Sequence, residues 1–159
     1  MRARIGELRR RLRQAGRIGV DSMVFIYLIE DHPKYAELAR AVLEAVEQGE
    51  CEGVAAVIVL TEVLAKAEEA GADDLAQAYR ALITGFPHLS VAAIGVEEAV
   101  RAAELRAAAV RAGRSLRGID ALMLATTELA GANVFVTNDR GLAGLREGPE
   151  VIILDDFRR

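Results

Sequence analysis

Residues 18–23 read IGVDSM, a short apolar run that ends abruptly on the carboxylate of Asp21. The run lies in residues 17–21, whose alternation and small or β-branched side chains predict a β-strand. The apolar residues that follow, VFIYLIE, have helical spacing, and Pro33 predicts the end of that helix. A strand that leads directly into a helix is the repeating unit of α/β folds. Asp21 therefore lies at the junction between the first strand and the first helix of such a fold.

The same alternation continues along the chain. Further β-type runs are predicted at residues 53–57, 89–93, 133–137 and 150–154. Between them, apolar residues recur with the spacing of helix faces. Strands that are apolar on both sides and alternate with helices predict a parallel sheet covered by helices on each side. The apolar stripes of the helices before and after the third strand include Leu75, Leu82 and Ile83 in the first, and Val100, Leu105 and Val110 in the second.

Length and composition indicate one compact domain. The 159 residues are 52% hydrophobic, enough to bury a core. We expect residues 1–16 to form a basic helix and residues 17–157 to form the core. No apolar run approaches the roughly 20 residues of a membrane span, and no apolar segment of a signal peptide follows the basic start. The single Cys51 excludes an internal disulfide, and we expect a cytoplasmic protein.

Charge is distributed unevenly. Residues 1–17 carry seven Arg and one Glu, a charge of +6, which leaves −10 for the rest of a chain whose net charge is −4. Because the rest of the chain is so acidic, we do not expect it to bind nucleic acid through its overall charge. A polyanionic substrate would therefore need a metal or local basic patches. The basic helix could track RNA or bind a partner, but packing through Ile5, Leu8 and Leu12 is the favoured interpretation.

Four acidic residues fall where the predicted strands end. Asp21 ends the first strand, Asp139 follows the fourth, Asp120 begins the helix before the fourth, and Glu62 lies early in the helix after the second. In a sheet of order 3-2-1-4-5, the first and fourth strands are neighbours, so their carboxyl ends meet at one edge. The helix that begins near Asp120 starts at that same edge. The four carboxylates are therefore predicted to converge.

Each acid also has a structural interpretation. Asp120 suits the first turn of a helix, Glu62 could pair with Lys66 at i, i+4, and Asp139 could be a turn residue of the sequence NDRG. Converging carboxylates without partners repel each other and raise their pKa values. A hard divalent cation such as Mg²⁺ or Mn²⁺ removes that repulsion, and it equips a site for phosphodiester hydrolysis.

Four motifs, in this order, resemble the PIN domain family, and most closely its VapC-type toxin ribonucleases. They are Asp21-Ser22, TEVL at residues 61–64, GIDALMLAT at residues 118–126 and VTND at residues 136–139. The resemblance implies a three-layer α/β/α fold with a five-stranded parallel sheet. It also implies Mg²⁺- or Mn²⁺-dependent endonucleolytic cleavage of RNA, a homodimer, and a protein antitoxin that covers the site.

Carried over to this chain, the resemblance assigns an acidic quartet and its polar neighbours. Asp21, Asp120 and Asp139 are expected to bind metal, and Glu62 completes the catalytic set. Residues expected to position substrate or water are Ser22, Thr137 and Asn138. Apart from the resemblance, Arg114 and Arg117 lie just before Asp120, where they could hold phosphates or instead pair with acids of the surface.

Two departures from the family leave other functions open. Met23 stands where the family often has a small polar residue, and the basic N-terminal helix is additional. One alternative is a PIN-like RNA-binding or scaffold module that has lost catalysis, and another is an RNA-processing nuclease without an antitoxin. A phosphotransfer domain of receiver or haloacid-dehalogenase type fits worse, because the expected second Asp is absent and no Lys follows a late strand; the only lysines are Lys34 and Lys66.

Overall fold

The computed structural model describes residues 2–158. Within them the chain forms seven α-helices, five β-strands and two short 3₁₀ helices. Each predicted strand is present, and its ends agree with the prediction to within one residue. The elements in chain order are α1 (Arg2–Ala15), β1 (Arg17–Val20), α2 (Ser22–Ile29), α3 (Ala36–Glu47), β2 (Glu52–Ala56), α4 (Ile58–Glu69), α5 (Asp73–Thr84), β3 (Leu89–Ala92), α6 (Val96–Arg111), α7 (Gly118–Leu129), β4 (Val134–Thr137), a 3₁₀ helix (Arg140–Leu142), β5 (Glu150–Ile153) and a second 3₁₀ helix (Leu154–Phe157).

The strands form one parallel sheet in the order β3-β2-β1-β4-β5. This order confirms the predicted 3-2-1-4-5 arrangement. β1 is central, and its residue Val20 pairs with Val136 of β4. The residues that follow these two, Asp21 and Thr137, are therefore level with each other at the carboxyl edge. The register alone brings the end of IGVD beside the end of VFVT.

Two glycines show that helices cover both faces of the sheet. A Cβ at Gly19 would lie 2.7 Å from Thr127 Oγ1 of α7, and a Cβ at Gly53 would lie 3.1 Å from Val46 Cγ1 of α3. Gly53 pairs with Ile18, and Ile18 and Gly19 face opposite sides because side chains alternate along a strand. α3 and α7 therefore lie on opposite faces, as a three-layer α/β/α fold requires.

The N-terminal helix is part of the packed structure. Leu8 and Leu12 of α1 are fully buried, and Ile5 packs against the same core at partial burial. α1 contacts α3 and the second 3₁₀ helix, whose Phe157 is also buried. The predicted packing of α1 through its three apolar residues is confirmed. No helix within residues 2–158 is both long enough and apolar enough to span a membrane.

The predicted apolar faces of α5 and α6 are partly wrong. Val100 and Val110 of α6 are 52% and 68% exposed, and Leu75 and Leu82 of α5 are also exposed. α6 instead packs closely on α7, using a face that is mostly alanine, and α5 packs on α4 and β3. Small residues allow that close approach, so the larger side chains lie outside. The residues that are buried on the two helices are Ala76 and Ile83 on α5, and Ala102, Leu105 and Ala109 on α6.

Candidate active site

The predicted acidic residues line one cleft of about 750 Å³ at the carboxyl edge of the sheet. β1 and β4 are held together there by the Asp21 backbone N–H, which donates to the Val136 carbonyl oxygen at 3.1 Å. Twelve residues line the cleft: Asp21, Ser22, Met23, Tyr27, Glu62, Arg117, Gly118, Ile119, Asp120, Met123, Asn138 and Asp139. All four predicted carboxylates are therefore brought together in space.

Asp21 is the most buried of the four acids. Its side chain is at the N-terminus of α2, and the residue is 5% exposed. The Thr137 hydroxyl donates to Asp21 Oδ2 at 2.6 Å, and the Ser22 hydroxyl lies 3.1 Å from Asp21 Oδ1. Burial raises the pKa of Asp21, repulsion from Glu62 adds to the rise, and the two hydroxyls oppose it. The fold therefore holds a carboxyl group where its ionised form is unfavourable without a cation.

Glu62 is connected to Asp21 through a shared hydroxyl. Ser22 Oγ lies 2.6 Å from Glu62 Oε2 as well as 3.1 Å from Asp21 Oδ1. A hydroxyl has one proton, so a single hydrogen-bond donor serves two carboxylates. The alternative pairing of Glu62 with Lys66 is wrong, because the Lys66 ammonium contacts Glu30, the residue just after α2, instead. Glu62 therefore faces the cleft and is not neutralised by its helical neighbour.

Asp120 and Asp139 both face Arg117. Asp120 lies in the first turn of α7 and is 6% exposed. Arg117 Nε donates to Asp120 Oδ2 at 2.7 Å, and Arg117 Nη2 donates to Asp120 Oδ1 at 3.3 Å. The same Nη2 lies 3.6 Å from Asp139 Oδ2. The guanidinium therefore stands between the two carboxylates as their shared counterion.

Asp139 also has the structural role that its sequence suggested. Its Oδ1 accepts a hydrogen bond from the Gly141 backbone N–H at 2.8 Å and so caps the 3₁₀ helix that follows β4. Its own backbone N–H donates to Thr137 Oγ1 at 3.1 Å. One carboxylate oxygen is thus used by the turn, and the other faces Arg117. Thr137 links Asp21 and Asp139 through a single hydroxyl.

Asn138 joins two walls of the cleft. Its side-chain Nδ2 donates to the Tyr27 hydroxyl oxygen at 3.2 Å, and its Oδ1 accepts from the Asp155 backbone N–H at 2.9 Å. Tyr27 in turn stacks on Tyr35, whose hydroxyl donates to Asp155 Oδ1 at 3.0 Å. In this structure the Asn138 amide is engaged on both sides, so its direct effect is to hold Tyr27 at the cleft.

The two predicted arginines lie in different places. Arg117 lines the acidic cleft, with its side chain 78% exposed. Arg114 lines a separate cavity formed by α6 and the segment before β5. Its Nη2 donates to the Gly141 carbonyl oxygen at 2.8 Å, just beyond Asp139. Arg114 is therefore a neighbour of the cleft, whereas Arg117 is a member of it.

The sequence analysis missed an apolar wall of the cleft. Tyr27, Ile119 and Met123 line it together with Met23, which also packs against the core. Helical spacing contained the signal, because Tyr27 follows Met23 by four residues on α2 and Met123 follows Asp120 by three on α7. Met23 thus lies on the cleft surface beside the acids.

A divalent metal matches the donor set, but not the side-chain positions in this structure. Within residues 2–158, no group of three or more His, Cys, Asp or Glu side chains is arranged to hold a metal ion. The donors themselves are all carboxylates, the type that Mg²⁺ and Mn²⁺ prefer. A cation already stands between Asp120 and Asp139, whereas the buried Asp21 has hydroxyl donors and, among the described residues, no cationic partner. These residues fit a hard divalent ion once Arg117 is moved aside.

Comparison with known proteins places this geometry in a family. The sequence model of the PIN domain matches residues 18–147, which include all four acids. No curated protein sequence matches the chain at a significant level. The matched span begins at the IGVDSM segment and ends before β5.

Solved structures with the same fold include two VapBC structures and a toxin–antitoxin complex. The VapBC2 complex of Rickettsia felis, bound to a promoter DNA fragment, has 16% identity and a TM-score of 0.68, over 86% of this chain and 98% of the other. A toxin–antitoxin complex of Klebsiella pneumoniae has 21% identity and a TM-score of 0.64, over 86% and 97%. DNA-bound VapBC of Salmonella typhimurium has 17% identity and a TM-score of 0.65, over 87% and 98%. At these identities the likeness establishes the fold.

Proposed function

The chain belongs to the PIN domain family, and we propose that it is a Mg²⁺- or Mn²⁺-dependent endoribonuclease, the toxin of a toxin–antitoxin pair. One observation carries this proposal. Four carboxylates from four separate segments line one cleft at the carboxyl edge of the sheet, and the one guanidinium that lines the cleft among residues 2–158 contacts two of them, Asp120 and Asp139. The fold could have placed neutral residues at these positions, so their convergence supports a ligand-binding role.

We assign the acids different roles. Asp21, Asp120 and Asp139 would hold the divalent ion, which when bound polarises a phosphoryl oxygen and lowers the pKa of water. Glu62 lies beside this group, and within residues 2–158 the Ser22 hydroxyl is the hydrogen-bonding group that joins it to Asp21. Glu62 is thus suited to accept the proton of the attacking water. Ser22 and Thr137 hold the Asp21 carboxylate in a fixed orientation.

The surroundings of the acids suit a phosphodiester backbone. Arg117 is largely exposed at the cleft, and Arg114 lies close behind Asp139 through its contact with Gly141. Guanidinium groups bind phosphate through paired N–H donors. The apolar wall of Met23, Tyr27 and neighbouring residues gives the other side of the cleft a surface for a base or ribose. An acidic protein can in this way bind a polyanion at one place.

The proposed partners follow from the structural neighbours. The similar structures are complexes of toxins with their antitoxins, which supports an antitoxin partner for this chain. A small antitoxin in the adjacent reading frame is the expected finding; without one, an RNA-processing nuclease becomes the better proposal. A homodimer is also proposed, and light scattering of the purified protein tests it. We also propose that the protein acts in the cytoplasm.

Cleavage of RNA tests the proposal directly. Purified protein with Mn²⁺ should cut a single-stranded RNA, and EDTA should abolish the cutting. Asp120→Asn should reduce the rate by at least about 100-fold, as expected when an electrostatic group of an active site is removed. Glu50→Gln removes a carboxylate on the opposite edge of the sheet and should leave the rate unchanged. Equal rates for the wild type and Asp120→Asn would refute the proposal.

One observation favours the alternative of a non-catalytic RNA-binding module. Arg117 already contacts both Asp120 and Asp139, and its charge offsets one of the two negative charges without a metal. A module of this kind should bind RNA with the same affinity in Mn²⁺ and in EDTA, and it should take up no Mn²⁺ in calorimetric titration. A nuclease must bind the metal, so the titration separates the two proposals.

A further inference from the structure

Arg117 contacts two carboxylates, Asp120 and Asp139, which a residue that only binds phosphate would not need to do. We infer that it occupies two positions in turn: it holds Asp120 and Asp139 while they carry no metal, and it contacts a phosphate of the RNA once a divalent ion takes its place. This inference rests on the proposed nuclease function and concerns the same site. It makes Arg117 both a competitor of the metal and a ligand of the substrate.

The contacts show how closely the guanidinium follows the two acids. Nε and Nη2 both donate to Asp120, at 2.7 and 3.3 Å, and Nη2 also lies 3.6 Å from Asp139 Oδ2. In the described part of the chain these two carboxylates are its only hydrogen-bond or ion-pair partners. The positive charge therefore stands at the point that a cation shared by Asp120 and Asp139 would use.

The rest of the Arg117 side chain leaves it free to move. Its side chain is 78% exposed, and the residue precedes α7 with an extended backbone. Arg101 is a useful contrast, because its side chain is only 26% exposed and it contacts Glu104, Glu128 and Glu147 from three segments. Arg101 is fixed by its surroundings, whereas Arg117 is held only by the acids at its tip.

A divalent ion and the Arg117 guanidinium compete for Asp120 and Asp139 because both are positively charged. A divalent ion bound between Asp120 and Asp139 would repel the guanidinium and take the same oxygen atoms. Metal binding therefore includes the loss of the Arg117 contacts, and the apparent affinity for metal is lower than the acids alone would give. By linkage, anything that draws Arg117 away from the acids increases the affinity for metal, and metal increases the affinity of Arg117 for its other ligand.

An RNA phosphate is the ligand that suits the released guanidinium. Arg117 lines the same cleft as the acids, so an anion near the metal lies within reach of its side chain. The planar guanidinium fork binds phosphate oxygens through two N–H groups. In the free protein these N–H groups donate to Asp120 instead. The residue thus becomes a substrate ligand only when the metal site is filled.

Calorimetric titration of Mn²⁺ into the full-length protein tests the competition. Arg117→Gln should bind Mn²⁺ about three- to tenfold more tightly than the wild type, the range for loss of a partly exposed charge-assisted contact. Arg117→Lys keeps the charge and should stay close to the wild type. Arg80→Gln is the matched control, since Arg80 is exposed on α5 and does not line the cleft. It should leave the affinity unchanged.

The outcomes separate this inference from the function on which it rests. Mn²⁺ binding of equal affinity in the wild type and Arg117→Gln would overturn the role of Arg117 and leave the nuclease proposal intact. Absence of Mn²⁺ binding in every variant would overturn the metal site itself, and the inference with it. Tighter binding in Arg80→Gln as well would show a general charge effect and would also overturn the inference.

The proposed contact between Arg117 and an RNA phosphate is tested by anisotropy titrations. They use a fluorescent 2′-O-methyl RNA oligonucleotide, once with Mn²⁺ and once with EDTA. Mn²⁺ should increase the affinity of the wild type by a factor several-fold larger than it does in Arg117→Gln, because only the wild type has a guanidinium to release. Arg117→Lys should fall between them, since an ammonium lacks the planar fork. An equal factor in the wild type and Arg117→Gln would show that Arg117 does not move to the phosphate.

Discussion

The two edges of the sheet hold their acidic residues in opposite ways. At the amino edge, the carboxylates of Glu50, Glu52 and Glu150 each contact at least one arginine of α1 or β1. At the carboxyl edge, Asp21, Glu62, Asp120 and Asp139 line one cleft, and Arg117 is the one basic residue that lines it in the described part of the chain. The amino-edge pairs are Arg9 and Arg13 with Glu50, Arg17 with Glu52, and Arg11 with Glu150.

The difference shows which acids have their negative charge neutralised by a neighbouring arginine and which do not. The amino-edge pairs are balanced and partly exposed, so each contributes little to stability and creates no unmet charge. Asp21 at the carboxyl edge has a pKa raised by burial and by Glu62, and the side chains of residues 2–158 that donate to it are the hydroxyls of Thr137 and Ser22. Negative charge is thus neutralised at one edge and left unbalanced at the other, and the unbalanced edge is the one that fits a cation.

The largest expected effect separates the role of Glu62 from that of the three aspartates at the carboxyl edge. Glu62→Gln should lower the rate of RNA cleavage by at least about 100-fold, as loss of a general base does. It should leave Mn²⁺ affinity nearly unchanged, because within residues 2–158 the Ser22 hydroxyl is the hydrogen-bonding group that joins Glu62 to Asp21. Cleavage assays and calorimetry of one preparation measure both quantities. Loss of Mn²⁺ binding in Glu62→Gln would make Glu62 a ligand and end the division of roles proposed above.

A hydroxyl deletion tests how the carboxyl edge tolerates its buried acid. Thr137→Val keeps the shape but removes a donor to Asp21 and an acceptor for the Asp139 N–H. The free energy of unfolding should fall by about 1–3 kcal/mol, the cost of leaving buried polar groups without a partner. Urea denaturation measures it. Thr84→Val is the control, because the Thr84 hydroxyl donates to the Arg80 carbonyl at an exposed helix end, and it should cost far less.

The two edges should respond to pH with opposite sign in EDTA. Burial raises the pKa of Asp21, so the folded state binds that proton more tightly than the unfolded chain, whose value is about 3.9. Ionised Asp21 therefore destabilises the fold as pH rises above about 4. Asp21→Asn should become more stable than the wild type over that rise, and the two should converge in acid.

Glu50 provides the opposite case. The hydrogen bond from Arg9 lowers the pKa of Glu50, with Arg13 adding to the effect, so its stabilisation is complete above the unfolded value of about 4.3. Glu50→Gln should be less stable than the wild type at neutral pH, and the difference should vanish as pH falls through the folded pKa. The same sign of pH dependence for Asp21→Asn and Glu50→Gln would contradict the contrast between the edges.

The smallest effect is expected at the exposed amino-edge pair. Glu52→Gln removes the contact with Arg17, and both side chains are about half exposed. The free energy of unfolding should change by less than about 1 kcal/mol, and added salt should reduce even that change. Thermal or urea denaturation at low and high salt measures it. A change larger than that of Thr137→Val would show that the amino-edge ion pairs stabilise the fold more than the buried hydroxyl does, against the expected order.

The sequence was sufficient to predict the positions of the four acids but not their contacts. Strand ends could be predicted because IGVD and VFVT change from apolar to polar within one residue. Parallel pairing then brings such ends together whatever the side chains do. The partner of Glu62 could not be predicted, because helical spacing favoured Lys66, whereas Ser22, forty residues earlier, contacts it in the fold.

The same limit explains Arg117 and the outer face of α6. The i, i+3 spacing allows Arg117 to contact Asp120, but no local pattern indicates that the same guanidinium also reaches Asp139. On α6, alanines occur on several sides of the helix, so the sequence does not reveal which side approaches α7. Val100 and Val110 were therefore assigned to the wrong side. Both features depend on which distant surface is available, which local patterns do not record.

Thermal unfolding with and without Mn²⁺ tests most directly the claim that the carboxyl edge is built for a cation. A ligand that binds only the folded state raises the melting temperature. The wild type and Glu50→Gln should both melt at higher temperature in millimolar Mn²⁺ than in EDTA, and Asp120→Asn should show little or no increase. An equal increase in Asp120→Asn, or none in the wild type, would contradict the account.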